Sequence, residues 1–138
     1  MSLPQTLEGA SCEELVRRWE ITPELAARLL TLSALWLERF GAIGSLSIVS
    51  GYRTREEQAA LEREGRPAAQ DKLSTHRSCP ATGADLRLPL EADAYTKAEL
   101  GRLVYFAGLR WGGGSPRDVH GMPTDWNHVD LGPRASSS

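Results

Sequence analysis

The sequence predicts an α+β domain in which a small antiparallel sheet packs with helices. Three observations lead there. Apolar residues at helical spacing dominate the first third of the chain. Short β-type runs come only afterwards, separated by helical segments and long loops. A chain of 138 residues is one domain by length and can bury a core without staples, and no internal repeat or linker divides it.

Taken in order, Ser11-Cys12-Glu13-Glu14 reads as a capping box that opens a short helix carrying Leu15, Val16 and Trp19. Thr22-Pro23 starts a second helix, with proline at the first helical position. Leu25, Leu29, Leu32, Trp36 and Phe40 form its apolar face, and Gly41 and Gly44 stop it. Leu46, Ile48 and Val49 predict a strand. Thr54-Arg55-Glu56-Glu57 is a further capping box, for a helix ending near Gly65. The polar, proline-containing stretch from Arg66 to Ala81 reads as a loop, and Ala84 to Leu88 as a second strand. Thr96-Lys97-Ala98-Glu99 reads as the cap of a long helix with Leu100, Leu103, Val104 and Ala107 on its face. Trp111-Gly112-Gly113-Gly114 reads as a glycine turn, and Asn127 to Leu131 as a third strand.

Composition narrows the function classes. Hydrophobic residues make up 41% and charged residues 25%, as in an ordinary globular protein. A net charge of −2 without Lys/Arg clusters argues for neither a nucleic-acid partner nor an anionic membrane. Met1 to Ala10 lacks the basic start and apolar run of a signal peptide, so synthesis in the cytoplasm is expected. Cys12 and Cys79 are too few and too far apart for a disulfide framework. They read as free thiols, with a single bridge, or Cys79 as a fourth metal ligand, left open.

Three segments carry the chemistry: Ser74-Thr75-His76, Gly83-Ala84-Asp85-Leu86 and Asp125-Trp126-Asn127-His128-Val129-Asp130-Leu131. They supply two histidines and an aspartate, with a separate carboxylate, Asp125, three residues before the second histidine. A catalytic zinc uses three protein ligands, an open position for water and a nearby base. Two neutral imidazoles and one carboxylate leave a net charge near +1, which preserves Lewis acidity. The segments lie at strand edges and adjoining loops, where a rigid element positions what a loop presents.

These residues resemble the D-alanyl-D-alanine carboxypeptidase-like zinc peptidases, and most closely the branch of L-alanyl-D-glutamate endopeptidases found in phage endolysins and autolysins. Ser50-Gly51-Tyr52-Arg53-Thr54, with Glu57-Gln58, Leu61 and Gly65-Arg66 behind it, is similar to the branch's first signature. Ser74-Thr75-His76 and Ala84-Asp85-Leu86 resemble the two ends of its first metal motif. Gly108-Leu109-Arg110-Trp111-Gly112-Gly113 resembles a "GFxWGG" segment, and Asp125-Trp126-Asn127-His128 a "DxxH" ending. The resemblance runs from Leu46 to Leu131, with five segments in the family's order. There are departures. His76 and Asp85 are nine residues apart instead of the family's seven, with Ala81 where the family has glycine and Gly83 nearby. The extra residues, in a stretch with Cys79 and Pro80, either bulge out harmlessly or spoil the site. Asn127 stands where the branch usually has a small residue or proline.

The resemblance implies a zinc peptidase domain with its catalytic core at 46–131; length and spacing extend the domain over residues 1–134, with N-terminal helices at 11–41, and the Ala/Ser composition reads residues 135–138 as a disordered tail. The resemblance implies His76, Asp85 and His128 as ligands of one zinc ion per chain. It implies Asp125 as the general base, and Arg53 as a cation that binds a substrate carboxylate or assists the oxyanion. Ser74 is a candidate substrate contact. Asp130 shares a strand face with His128, so it is either a carboxylate that orients the ring or an exposed strand residue. His120 is a second catalytic histidine, a competing ligand or a cleft-lining loop residue. Trp111 and Trp126 read as cleft wall and core. The expected function is hydrolysis of an amide bond in the peptidoglycan stem peptide, L-Ala-D-Glu favoured, by a monomer that lyses the cell wall after holin-type release or as a phage component. The alternatives are a D-Ala-D-Ala carboxypeptidase or dipeptidase, a catalytically inactive zinc- or wall-binding module, and an interaction domain without metal.

Overall fold

The computed structural model describes residues 3–52, 80–112 and 126–132. Among them it shows three α-helices over one five-stranded antiparallel sheet, the α+β architecture expected from the sequence. The elements are β1 (Gln5–Thr6), α1 (Cys12–Trp19), α2 (Pro23–Phe40), a 3-10 turn (Gly41–Ile43), β2 (Ser47–Ser50), β3 (Gly83–Arg87), α3 (Ala94–Phe106), β4 (Arg110–Trp111) and β5 (His128–Asp130). The helix predicted over Thr54–Gly65 and the loop over 66–79 lie outside the described residues.

Local chemistry sets the helix starts. The Ser11 hydroxyl accepts from the Glu14 N–H at 3.1 Å, and the Glu14 carboxylate accepts from the Ser11 N–H at 3.1 Å, closing the capping box. The Thr22 hydroxyl accepts from the Leu25 N–H at 3.1 Å, with Pro23 at the first helical position. The third helix departs from expectation. It starts at Ala94, and its cap is Asp93, whose carboxylate accepts from the Thr96 N–H at 2.8 Å. Thr96 is thus three residues inside the helix and buried. Aspartate is a stronger N-cap than threonine, and Asp93 lies three residues ahead of Thr96, so its carboxylate takes the Thr96 N–H and the helix starts earlier.

Leu25, Leu29, Leu32 and Trp36 of α2 are fully buried, as their spacing predicts, and Phe40 stacks on Trp36 with ring centroids 4.6 Å apart. They meet Leu15 and Trp19 of α1, Leu100 and Val104 of α3, and Ile48, Ala84, Leu86 and Val129 from the sheet in one core. Alternation along the strands therefore turns one sheet face to the helices. The lead-in to β3 is tied to the α1–α2 junction. Ala81, fully buried, donates to the Glu20 carbonyl at 2.8 Å, and its own carbonyl accepts from the Thr22 N–H at 3.0 Å.

Strand order is β1-β2-β3-β5-β4. Two strands are absent from the sequence reading. β1 and β4 have two residues each, too short to show alternation, and β4 occupies the start of the segment read as a glycine turn. Between Ile48 and Ser50 the β2–β3 register shifts, so that Ile48 faces Leu86 and Ser50 faces Asp85 with Val49 as the extra residue. Such bulges re-aim side chains and are common beside active sites. The chain leaves the sheet through Gly51, which is buried hard against α1. A Cβ there would lie 2.4 Å from the Trp19 carbonyl oxygen, so only glycine fits this crossing.

Candidate metal centre

The second sheet face carries the polar residues. β3 and β5 are antiparallel neighbours in which Asp85 faces His128 and Gly83 faces Asp130, while Arg110 of β4 faces Asp130 from the other side. Period-two alternation thus sets Asp85, His128, Asp130 and Arg110 in one row across three adjacent strands.

Within that row His128 stands between two carboxylates. Its Nδ1 lies 3.1 Å from Asp85 Oδ1 and its Nε2 lies 2.9 Å from Asp130 Oδ2. Side-chain exposures of 13% for His128, 20% for Asp85 and 1% for Asp130 place the aspartate of β5 underneath and that of β3 at the surface. The exposed-strand reading of Asp130 is therefore excluded. The Asp130 carboxylate accepts four bonds. Arg110 Nε and the Gly132 N–H donate to Oδ1, and Arg110 Nη2 and His128 donate to Oδ2, the first three each at 2.8 Å. Burial by itself raises the pKa of Asp130. The bonds from His128 and Arg110, the charge on His128 and the Gly132 N–H outweigh it and hold the group well below the usual carboxylate range. The same pairing raises Arg110 further, against partial burial.

A neutral imidazole carries one N–H. With Asp130 held as an anion, that proton belongs on Nε2, and the lone pair of Nδ1 then faces the oxygen of Asp85. Two acceptors this close repel unless the ring is protonated or a cation lies between them. In the metal-free chain a proton on Nδ1 meets this need, and a divalent metal would meet it in place of that proton. Two ligands about 2.05 Å from a tetrahedral zinc are about 3.3 Å apart, close to the 3.1 Å separation of Nδ1 and Oδ1. A metal-bound histidine usually gives its other N–H to a carboxylate, the place Asp130 occupies. Asp85 and His128 thus fit a metal as a pair. Among the described residues no group of three or more His, Cys, Asp and Glu side chains could hold one. His76, the expected third ligand, lies outside the described residues, as do Arg53, Ser74, His120, Asp125 and Cys79. Cys12 is a free thiol whose Sγ lies 3.6 Å from the Pro23 carbonyl oxygen.

One residue of this network escaped the sequence reading. Arg110 occupies the unspecified position of the "GFxWGG"-like segment. The available signal was a charged side chain between the apolar Leu109 and Trp111, which suggests an outward position on a strand. Trp111 and Trp126 are partly buried against the core, the Trp111 indole N–H donates to the Trp126 carbonyl, and Lys97 Nζ lies 5.0 Å from the Trp126 ring centroid. Beside Trp126 and Asn127 runs a groove of about 640 Å³, lined also by Arg87, Leu88, Leu90 and Lys97. None of Asp85, His128, Asp130 and Arg110 lines it. No helix among the described residues is long and apolar enough to cross a membrane.

The chain matches no protein-family model and no curated protein. Among solved structures it is similar to the crystal structure of the L-Ala D-Glu endopeptidase ChiX of Serratia marcescens, at 20% sequence identity and a TM-score of 0.60, covering 89% of this chain and 87% of that one. At this identity the likeness establishes a shared fold over nearly the whole of both chains.

Proposed function

We propose that this protein is a zinc-dependent peptidoglycan hydrolase that cleaves an amide bond of the stem peptide, the L-Ala-D-Glu bond by preference. One observation carries the reading: Asp85 and His128, two of the three expected ligands, face each other across β3 and β5 with donor atoms 3.1 Å apart. The fold, shared with an L-Ala D-Glu endopeptidase, supports the substrate class.

In this proposal His76, Asp85 and His128 hold the ion, and Asp130 keeps the proton on Nε2 of His128. A bound zinc supplies Lewis-acid polarisation of the scissile carbonyl and acidifies the attacking water. Asp125 takes a proton from that water and returns it to the leaving amine. Arg53 anchors a substrate carboxylate or stabilises charge on the carbonyl oxygen, and Ser74 hydrogen-bonds the substrate. The protein acts as a monomer on the cell wall, after holin-type release or as part of a phage particle.

The test is digestion of purified sacculi with and without a chelator, followed by mass spectrometry of the products. A new D-Glu amino terminus that is lost with chelator, together with a fall of about 100-fold or more in rate for Asp125→Ala, is the expected result. Release of single D-Ala residues identifies a carboxypeptidase instead. Zinc binding without hydrolysis, and without an effect of Asp125→Ala, identifies an inactive binding module.

A further inference from the structure

We propose that Arg110 is a positioning residue for the metal centre, fixing the orientation of His128 through the buried carboxylate of Asp130. This inference rests on the reading of Asp85 and His128 as metal ligands. Its ground is the saturation of Asp130. Each of its oxygens accepts two bonds, one of them from the guanidinium fork, with Nε on Oδ1 and Nη2 on Oδ2, both at 2.8 Å. The Gly132 N–H takes the second place on Oδ1, and His128 Nε2 takes the second place on Oδ2. A carboxylate with all four lone-pair directions occupied cannot turn. The single direction left to the ring fixes both its plane and the nitrogen that carries its proton, and so turns Nδ1 toward Asp85.

The guanidinium is suited to this because it is a planar two-pronged donor, whereas an ammonium is a point charge that bonds one oxygen well. Register does the rest. Arg110 and Asp130 are direct partners across β4 and β5, so the fork meets the carboxylate without a loop movement. The Arg110 side chain is 56% exposed and the Asp130 side chain 1% exposed. The pair thus has its anion in the interior, facing the ligand, and its cation at the surface. A pair that only braced the edge strand would place no demand on His128. Here the same Oδ2 serves both.

The experiment is a zinc titration of the full chain in competition with a chromophoric chelator, run on wild type, Arg110→Met and Arg110→Lys, with unfolding of the zinc-free proteins measured alongside. Both variants, while folded, are expected to bind zinc at least about tenfold more weakly than wild type, since ligand-orienting partners typically contribute 10–100-fold. Lysine restores the charge but not the fork, so it does not restore affinity. Wild-type zinc affinity in a folded Arg110→Met protein of lowered stability overturns the inference and leaves a structural ion pair. Should Arg110→Met fail to fold, Arg110→Lys decides on the same criterion. If wild type binds no zinc, or binds it unchanged in His128→Ala, the metal reading itself fails, an outcome distinct from the other two.

Discussion

At position 130 a carboxylate is almost wholly removed from water, a costly arrangement unless every lone pair is met. It is met by Arg110, His128 and the Gly132 N–H, and these partners hold the group ionised. The sign of the pH dependence follows. A carboxyl whose pKa is lower in the folded chain than in the unfolded chain stabilises the fold in full above the ordinary value of 3.8. That contribution is lost as pH falls from there toward the lower folded-state value. The zinc-free protein should therefore lose stability on acidification below pH 3.8, and Asp130→Asn should show a shallower loss over the same interval. Urea unfolding at a series of pH values checks this, and parallel acid limbs would count against it. Sequence spacing could put His128 and Asp130 on one face, because alternation along a strand needs no partner. It could not supply Arg110, because only cross-strand register brings that residue to the carboxylate.

At the scale of elements, α3 and β4 depend on one small residue. Gly101 lies inside α3, where glycine is less favourable than alanine by about 1 kcal/mol on intrinsic grounds. Propensity alone predicts that Gly101→Ala stabilises the protein. The structure predicts the reverse, since a Cβ at this position would lie 2.4 Å from Trp111 Cε3 and 2.5 Å from Cζ3. The indole is held on its other side by its bond to the Trp126 carbonyl, so it has little freedom to withdraw. Gly101→Ala should cost about 1–3 kcal/mol by overpacking, measurable as a lower urea midpoint at unchanged slope. A gain in stability would show that the ring yields. The first two helices were legible because their caps are local chemistry: Ser11 with Glu14, and Thr22 with Pro23. The third was misplaced by three residues because Thr96 and Glu99 imitate a cap that Asp93 supplies. The two-residue strands left no periodic trace.

For the whole molecule, the metal reading links ligand binding to stability. A zinc ion that binds the folded chain alone adds about 2.7 kcal/mol at a free concentration 100 times its Kd. Added zinc should raise the thermal midpoint by several degrees, and a chelator should reverse the change. The shift should vanish in His128→Ala and in Asp85→Asn, two variants altered on neighbouring strands of one sheet. A shift that survives in both variants would place the ion elsewhere. Leu86 and Asp85 are consecutive in β3, one in the shared core and the other beside His128 in the candidate metal centre.

By itself the sequence determined the fold class, the buried face of α2 and the donor types at positions 85 and 128. Each follows from local periodicity, cap chemistry or the identity of a side chain. Only the tertiary structure fixes the strand order that makes β3 and β5 neighbours, the bulge opposite Asp85 and the pairing of Arg110 with the Asp130 carboxylate that also meets His128. These depend on register between segments far apart in the chain. A shift of one residue in that register would send Asp85 or Asp130 to the opposite face of the sheet.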